Sequence, residues 1–317
     1  MNVLSCFDGM SCGQIALNKL GYKIENYFAS EIDKHAIAVT QSNYPNTIQL
    51  GDITKIKGED LPEIDLLIGG SPCQGFSFAG KQLNFEDPRS KLFFEFVRLL
   101  KETKPKYFFL ENVKMKKEFQ NVISEYLGVQ PIELNSNLVS AQNRKRLYWT
   151  NIKGFTMPED KGIMLKDIIE DGLTDRDKSL CLLESYSRKC ATDSGWREYM
   201  KWGQGQLIVK EATIKGFIEI RKYEGVDLTF IKSKTRRGRR MQFKSNCLTY
   251  SKFDYCWFKG EDVRLLTPVE CERLQTVPEN YTAIVSNTKR YSMLGNGWTV
   301  DAVTEFFKHI PRDLELF

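Results

Sequence analysis

Short apolar runs alternate with amphipathic stretches over the first 150 residues, and this alternation constrains the fold more than any other feature of the sequence. The predicted strands are 2–6, 27–30, 65–68 and 107–110, and the predicted helices are 14–20, 34–44 and 91–101. Strands that alternate with helices form a parallel sheet covered by helices. The sequence therefore predicts an α/β fold whose ligand lies at the carboxyl ends of the strands.

The pattern changes after residue 150, where the chain becomes richer in glycine and charge and less regular. Regular patterning returns after residue 262, and an amphipathic helix is predicted at 299–309. We therefore expect a first domain at 1–150, a smaller second domain at 151–262, and a return segment at 263–317 that packs back on the first domain and completes it.

The composition fits a globular protein that buries a substantial core. The chain has 317 residues, of which 41% are apolar and 27% charged, and its mean hydropathy is −0.40. No apolar run approaches the ~18 residues that a membrane-spanning helix needs. The first residues, MNVLSCFDGM, lack the basic region of a secretory signal, so we expect a cytoplasmic protein that does not bind a membrane.

The distribution of charge is more informative than its sum. The net charge is only +5, but the segment Lys232–Lys244 contains seven basic residues and no carboxylate. These residues are Lys232, Lys234, Arg236, Arg237, Arg239, Arg240 and Lys244. A basic stretch of this kind is typical of contacts with nucleic acid, although it also fits a solvated basic loop.

The first predicted strand runs into a glycine-containing turn that opens a helix, which is where nucleotide-like cofactors bind. Glu31 follows Gly13 by 18 positions and ends the second strand, near the spacing at which an acid binds a ribose diol. Asp52 ends a third segment. The turn lacks a complete G-x-G-x-x-G pattern, so pyrophosphate is not favoured. The alternative is that Gly9 and Gly13 merely turn the chain and that Glu31 is a solvated strand end.

One of the eight cysteines stands out by its neighbours. Pro72 fixes its own φ angle and favours an extended Ser71, which would hold Cys73 at the exposed end of a strand. A free thiol has a pKa of about 8.5, so a nucleophilic cysteine must be activated by its site. We expect the others to be buried and inert, namely Cys6, Cys12, Cys181, Cys190, Cys247, Cys256 and Cys271. With no C-x-x-C pair and only two histidines, we expect no metal site.

Five segments of the chain resemble motifs of the C5-cytosine DNA methyltransferases and occur in the order of that family. They are GSPCQGFS at 70–77, ENV at 111–113, QNRKR at 142–146, RLLTPVEC at 264–271 and GNGW at 295–298. Each is weakly specific alone, but five in one order make chance negligible. The resemblance implies a Rossmann-like sheet of the S-adenosylmethionine-dependent methyltransferase type with a smaller target-recognition domain at 151–262.

The same resemblance implies S-adenosylmethionine as the cofactor. Glu31 would bind its ribose hydroxyls, and Asp52 would bind its adenine amino group. The turn that begins at Phe7 would hold the rest of the adenosine and the methionine part. The full set of expected cofactor-binding residues is Phe7, Asp8, Gly9, Met10, Cys12, Glu31, Ile32, Asp52, Ile53, Pro72, Leu92, Asn296 and Trp298.

The implied catalytic residues are Cys73, Glu111, Arg144 and Arg146. The Cys73 thiolate would add to C6 of cytosine, protonated Glu111 would hydrogen-bond N3, and Arg146 would hold O2. C5 would then take the methyl group, and loss of the C5 proton and of the thiolate would release 5-methylcytosine. The base must leave the duplex for this chemistry, and residues 75–89 are predicted to close over it.

The implied partner is double-stranded DNA, with Lys232–Lys244 along its phosphates. A cognate restriction endonuclease as a separate protein, protection of a phage genome and a solitary role all stay open. A second interpretation is an RNA methyltransferase that acts on tRNA, but the Cys-Phe-Thr signature of that branch is absent. A third is a catalytically inactive DNA-binding relative, and the presence of all four implied catalytic residues disfavours it.

Overall fold

The computed structural model describes residues 1–71, 88–171, 173–174, 177–184, 208–209, 225–227, 239–241, 263–264 and 266–312. Its main sheet contains β1 (Asn2–Cys6), β2 (Asn26–Ser30), β3 (Ile48–Gln49), β4 (Leu66–Gly69), β5 (Tyr107–Val113), β6 (Ile132–Asn135) and β7 (Lys145–Thr150). The strand order is β3-β2-β1-β4-β5-β7-β6. Strands β1 to β5 pair in parallel, whereas β7 is antiparallel to both β5 and β6.

The helices are α1 (Cys12–Lys19), α2 (Lys34–Asn43), α3 (Pro88–Thr103), α4 (Lys117–Leu127), α5 (Pro268–Leu274), α6 (Asn287–Asn296) and α7 (Val300–Phe307). Of the helices that the structure describes, none combines the length and apolar character needed to span a bilayer. The α/β architecture predicted from the alternation of strands and helices is confirmed.

Successive residues of a strand point to opposite faces of the sheet, and helices cover both faces, so both sets of side chains are buried. Val3 of β1 belongs to the core formed with α1 and α7, whereas Leu4 belongs to the core formed with α3 and α4. The central strands therefore read as continuous apolar runs, and their carboxyl ends lie at one edge of the sheet.

The return segment packs on the first part of the chain. Helix α7 lies against α1. The Tyr22 hydroxyl donates to the carbonyls of Phe307 at 2.9 Å and Ile310 at 2.7 Å. Helix α5 begins with a capping box, because Thr267 Oγ1 accepts from the Glu270 backbone N–H while the Glu270 carboxylate accepts from the Thr267 N–H at 2.7 Å. The T-P-x-E part of the motif at 264–271 therefore has a structural role here.

The carboxyl edge differs from the sequence prediction in one respect. The strand predicted at 107–110 extends to Val113, so Glu111 lies inside β5 rather than after it. Strand β7 makes this possible, because it supplies an antiparallel neighbour for the extra residues. Strands β6 and β7 and helix α4 were not predicted.

Beyond residue 184, the described residues of the second region lie in short strands. Strands β8 (Leu173–Thr174), β9 (Ile208–Val209) and β12 (Val263–Arg264) form one small antiparallel sheet, and β10 (Gly225–Asp227) pairs with β11 (Arg239–Met241). Ile152, Leu165, Ile168 and Leu182 share a core cluster with the main sheet, so the chain between 151 and 184 packs on the first region. The division into domains at 150 and 262 stays a prediction.

A fully buried carboxylate holds three parts of the return segment together. Glu272 has no exposed surface, and it accepts from the backbone N–H groups of Asn280 at 2.7 Å and Thr282 at 2.9 Å. The Arg290 guanidinium supplies the neutralising charge at 3.0 Å. A buried charge that loses its partner is strongly destabilising.

We therefore expect Arg290→Met to lower the free energy of unfolding by about 3–5 kcal/mol, because it leaves the Glu272 carboxylate buried without its cation. Lys114→Met is the matched control, since Lys114 pairs with Glu133 at 2.9 Å but is 55% exposed. That change should cost less than about 1 kcal/mol. Urea unfolding of both variants measures the difference, and equal losses would contradict this view of the return segment.

Candidate active site

The site lies where β1, β4 and β5 end, because the carboxyl ends of parallel strands meet at the same edge. The turn after β1 has an unusual backbone, with φ of 57° at Phe7, 60° at Gly9 and 61° at Ser11. Residues other than glycine rarely adopt positive φ, and they cluster at functional turns when they do. This turn is therefore a shaped surface at the sheet edge.

The Glu31 carboxylate is fixed against this turn. Its Oε2 accepts from the Gly9 N–H at 2.8 Å, and its Oε1 accepts from the N–H groups of Ile32 at 2.7 Å and Asp33 at 2.8 Å. Ile32 is 78% exposed beside it. A rigid carboxylate next to an exposed apolar side chain fits the ribose and base of an adenosine, so these residues fit the expected cofactor.

Asp8 supports the turn from within. Its carboxylate accepts from the hydroxyl of Tyr27 at 2.8 Å and from the hydroxyl of Ser11. Burial raises the pKa of Asp8 to about 6, although the hydrogen bonds from these hydroxyls act in the opposite direction. The Asp8 side chain therefore shapes the turn at residues 7–11, which is expected to hold the cofactor and is called the cofactor turn below.

Asp52 lies at the end of the neighbouring strand region. Its Oδ1 accepts from the N–H of Thr54 at 3.0 Å and from the Thr54 hydroxyl at 2.9 Å, and these bonds hold the pKa of Asp52 below its ordinary value. Ile53 is buried in the core, and Leu92 is half-buried against the same core cluster.

Glycines, which have no side chain, allow the return segment to approach the turn and the end of β4 closely. A Cβ on Gly297 would lie 2.7 Å from Cε of Met10, and one on Gly70 would lie 2.9 Å from Nε1 of Trp298. The backbone N–H of Trp298 donates to the Cys12 thiol, whose pKa is raised to about 12 by burial. Met10 is buried, whereas Asn296 is exposed. Cys12 is a buried thiol, as expected, and it also packs the return segment onto the cofactor turn.

Glu111 and Arg146 form a buried ion pair at the end of β5. Arg146 Nε lies 2.9 Å from Glu111 Oε1, and the two side chains are 13% and 11% exposed. Glu111 Oε2 points toward β4, since it lies 3.3 Å from the position of a Cβ on Gly70. Burial opposes the charge of Arg146, but the Glu111 carboxylate, together with Cys181 and Tyr148, outweighs it and leaves the pKa of Arg146 above its ordinary value. The pair presents one carboxylate oxygen and one guanidinium at the sheet edge.

Arg144 occupies a different position from Arg146. It is buried and donates to the carbonyls of Leu182 at 2.9 Å, Gly295 at 3.1 Å and Gly297 at 2.9 Å. Burial, and then the charge of Arg146, lower the pKa of Arg144. Its guanidinium thus joins the chain before β7 to the segment at Leu182 and to the return segment, behind the ion pair.

Asn112 fixes the start of the nucleophile motif. Its Nδ2 donates to Ser71 Oγ at 3.1 Å and to the Ser71 carbonyl at 3.4 Å. Pro72, Cys73 and the predicted closing loop at 75–89 lie largely outside the described residues, which resume at 88. Cys73 follows Ser71 by two positions in the sequence.

Three residues with clear roles at this edge were not singled out as site residues from the sequence. They are Asn112, Gln142 and Cys181. Gln142 and Asn112 lie inside the quoted motifs, which was the available signal. Cys181 lies outside every motif, and it was expected to be buried and inert. In the structure it is half-buried, and its sulfur contacts both Arg144 and Arg146.

Comparison with known proteins agrees with this geometry. The family model described as C-5 cytosine-specific DNA methylase matches residues 1–312. The Type II methyltransferase M1.ScrFI of Lactococcus lactis subsp. cremoris is 32% identical over 322 aligned positions, which cover 92% of this chain and 74% of its own length. M.NgoPII of Neisseria gonorrhoeae, also a Type II methyltransferase, is 29% identical over 99% of this chain and 96% of its own length.

A solved structure supports the fold. The Entamoeba histolytica methyltransferase EhMeth superposes with a TM-score of 0.65 at 15% identity, and the match covers 100% of this chain and 99% of that one.

The position of Asp8 predicts a pH dependence of stability. Its pKa is about 6 in the folded state against an ordinary 3.8, so the folded state favours the protonated form. Asp8 therefore contributes stability below about pH 4 that is lost as the pH rises through about 6. In Asp8→Asn, which mimics the protonated acid, we expect this loss, on the order of 2–3 kcal/mol, to disappear.

Urea unfolding between pH 4 and 7 measures this effect. Asp52→Asn is the control, because the pKa of Asp52 lies below its ordinary 3.8, so its contribution to stability stays constant across this window and is lost only as the pH falls further. Identical pH profiles for wild type and Asp8→Asn would show that Asp8 does not titrate in this window.

Proposed function

Because the chain belongs to the C-5 cytosine-specific DNA methylase family, we propose that its carboxyl edge binds a flipped-out cytosine between Cys73 and the Glu111–Arg146 pair. As a member of that family it is a DNA (cytosine-5-)-methyltransferase, and its methyl donor is S-adenosylmethionine. The observation that carries the proposal is the buried ion pair, which faces Gly70, the first residue of the nucleophile motif.

Cys73, Glu111 and Arg146 have distinct tasks in this proposal. The Cys73 thiolate forms a bond to C6, and the electron pair of the C5–C6 double bond moves into the ring toward N3. Glu111 as an acid donates a hydrogen bond at N3 and neutralises the charge that develops there. Arg146 donates to O2 and orients Glu111. Loss of the C5 proton after methylation returns the electron pair and expels the thiolate.

S-adenosylmethionine supplies the electrophilic methyl group when it is bound. Glu31 would hold the ribose hydroxyls, Asp52 the adenine amino group, and the exposed Ile32 would cover the base. The remaining contacts would come from Phe7, Gly9, Met10, Pro72, Leu92, Asn296 and Trp298. Asp8, Cys12 and Ile53 would act from beneath, since their side chains shape or pack the surrounding turns. Arg144 would position the edge rather than touch the base.

The second region would read the DNA. Residues 151–262 would place loops in the major groove, with Lys232–Lys244 along the phosphates. Arg239 and Arg240 of that segment lie in β11, opposite Asp227 and Val226 of β10, and the rest of it lies outside the described residues except Met241. We infer a cytoplasmic enzyme of a bacterial or phage-infected cell with a cognate restriction endonuclease as a separate partner, since relatives are named Type II methyltransferases.

Cys73→Ser should abolish methyl transfer while the fold and cofactor binding persist, because serine lacks the acidity to attack C6. Wild type should form a denaturation-resistant adduct with a duplex that contains 5-fluorocytosine, since fluorine cannot leave as a proton does. Gel electrophoresis under denaturing conditions detects the adduct, with Cys73→Ser as the negative control. Measurable methylation without any adduct would refute the covalent route.

Glu111→Gln should lower the rate of methyl transfer by roughly 10²–10⁴, the usual effect of removing a positioned acid. Single-turnover methylation of duplex DNA measures the change. Glu133→Gln is the control, because Glu133 lies on β6 with a partly exposed side chain paired to Lys114. Full activity in Glu111→Gln would show that Glu111 is not the N3 partner.

Replacing Arg236 and Arg237 with alanine should flatten the slope of log K against log salt by up to about 2, since each phosphate contact contributes about 0.9. If an arginine reads guanine instead, discrimination at one base pair should fall by about 1–3 kcal/mol. Binding to cognate and scrambled duplexes across a salt series measures both.

Alanine substitution of both Lys101 and Lys106 is the matched control, because these lysines lie near the amino end of β5 and not at its carboxyl edge. If the double variant at Arg236 and Arg237 keeps both the slope and the specificity of wild type, the basic segment is a solvated loop away from DNA.

A further inference from the structure

Cys181 lies on the segment 177–184, inside the region at 151–262 that is expected to read DNA. Its Sγ accepts from Arg144 Nη1 at 3.4 Å and from Arg146 Nη2 at 3.6 Å. The thiol donates to the Leu182 carbonyl at 3.6 Å. One sulfur atom therefore contacts the guanidinium of Arg146 in the catalytic pair and that of Arg144 behind it.

Arg146 has one partner for each of its three nitrogens. Nε contacts the Glu111 carboxylate at 2.9 Å, Nη1 donates to the Lys145 carbonyl at 2.9 Å, and Nη2 donates to Cys181. The first two partners lie on β5 and β7 themselves. Within the described part of the chain, Cys181 is the contact that ties this guanidinium to another segment.

The position of Cys181 is itself held from both sides. The Leu182 N–H donates to Gln142 Oε1 at 2.8 Å, and the Leu182 carbonyl accepts from Arg144 at 2.9 Å. A Cβ on Gly295 would lie 2.3 Å from the Leu183 carbonyl carbon, so the return segment presses against the same stretch. A shift of this segment must therefore move the sulfur.

The two arginines alternate with Lys145 along the chain, so both point to the same side of the sheet, and their charges repel one another. Without an acceptor between them, the guanidinium of Arg146 would have freedom to turn away from Arg144 and from Glu111. A large, polarisable sulfur accepts from both at once.

We propose that Cys181 is a positioning residue for methyl transfer, which holds Arg146 in the orientation that pairs it with Glu111 and so couples the segment 177–184 of the recognition region to the catalytic pair. This inference rests on the proposed roles of Glu111 and Arg146. It assigns a role to a thiol that lies outside the five family-like segments.

Steady-state methylation of duplex DNA tests the proposal. Cys181→Ala should lower kcat about tenfold, the effect of losing a hydrogen bond to a charged group, while KM for DNA and Kd for S-adenosylmethionine change less than about twofold. Cys181→Ser keeps an acceptor and should recover part of the loss, whereas Cys181→Val should not. Leu183→Ala is the control, because Leu183 lies on the same segment with an exposed side chain.

A double-mutant cycle with Glu111→Gln separates positioning from mere packing. If Cys181 acts through the Arg146–Glu111 pair, Cys181→Ala should cost little further rate once Glu111 is replaced. Additive losses, an unchanged kcat, or a change confined to KM would each overturn the proposal. Failure of all three Cys181 variants to fold would also overturn it, since the role would then be structural.

The same cycle keeps this inference separate from the proposed function. If Glu111→Gln retains full activity, the assignment of Glu111 fails. If Glu111→Gln is slow and Cys181→Ala is not, the assignment of Glu111 stands and only the role of Cys181 is lost.

Discussion

The antiparallel pairing of β7 with β5 places a buried guanidinium 2.9 Å from a buried carboxylate, and the site depends on this contact. Neither charge would be stable there alone, because removing an ion from water costs several kcal/mol. Val113 pairs with Arg146 and Glu111 pairs with Tyr148, so the two charged side chains arise from neighbouring strands two positions apart. The strand register therefore places one oxygen of Glu111 against Arg146 and leaves the other facing β4.

The remainder of the edge is assembled around that pair by backbone contacts. Arg144 donates to carbonyls of the 177–184 segment and of the return segment, and Gly295 permits the two backbones to approach closely. Trp298 reaches from the return segment to the cofactor turn and to Gly70. Segments separated by more than two hundred positions thus meet at one edge. Their backbone carbonyls accept from the buried Arg144 side chain, and their glycines permit close approach.

The sequence predicted the parallel half of the sheet well. Strand β1 matches residue for residue, because its apolar run is bounded by a clear turn. It did not predict β6 and β7, because β6 is short and half polar and β7 begins with Lys145 and Arg146, so the placement of Glu111 inside β5 was missed. The motifs found Glu111 and Arg146 without showing that they pair. The different role of Arg144 and the contacts of Cys181 depend on tertiary packing, which no local pattern records.

Methylation of C5 of cytosine in duplex DNA by this edge can be detected in cells. Bisulfite sequencing of DNA from a host that has no cytosine methylation of its own and expresses the chain makes this measurement. We expect unconverted cytosines at one short sequence context in cells with the intact chain, and full conversion in cells with an empty vector. Complete conversion in both, with the folded protein present, would show that this edge does not methylate cytosine in DNA.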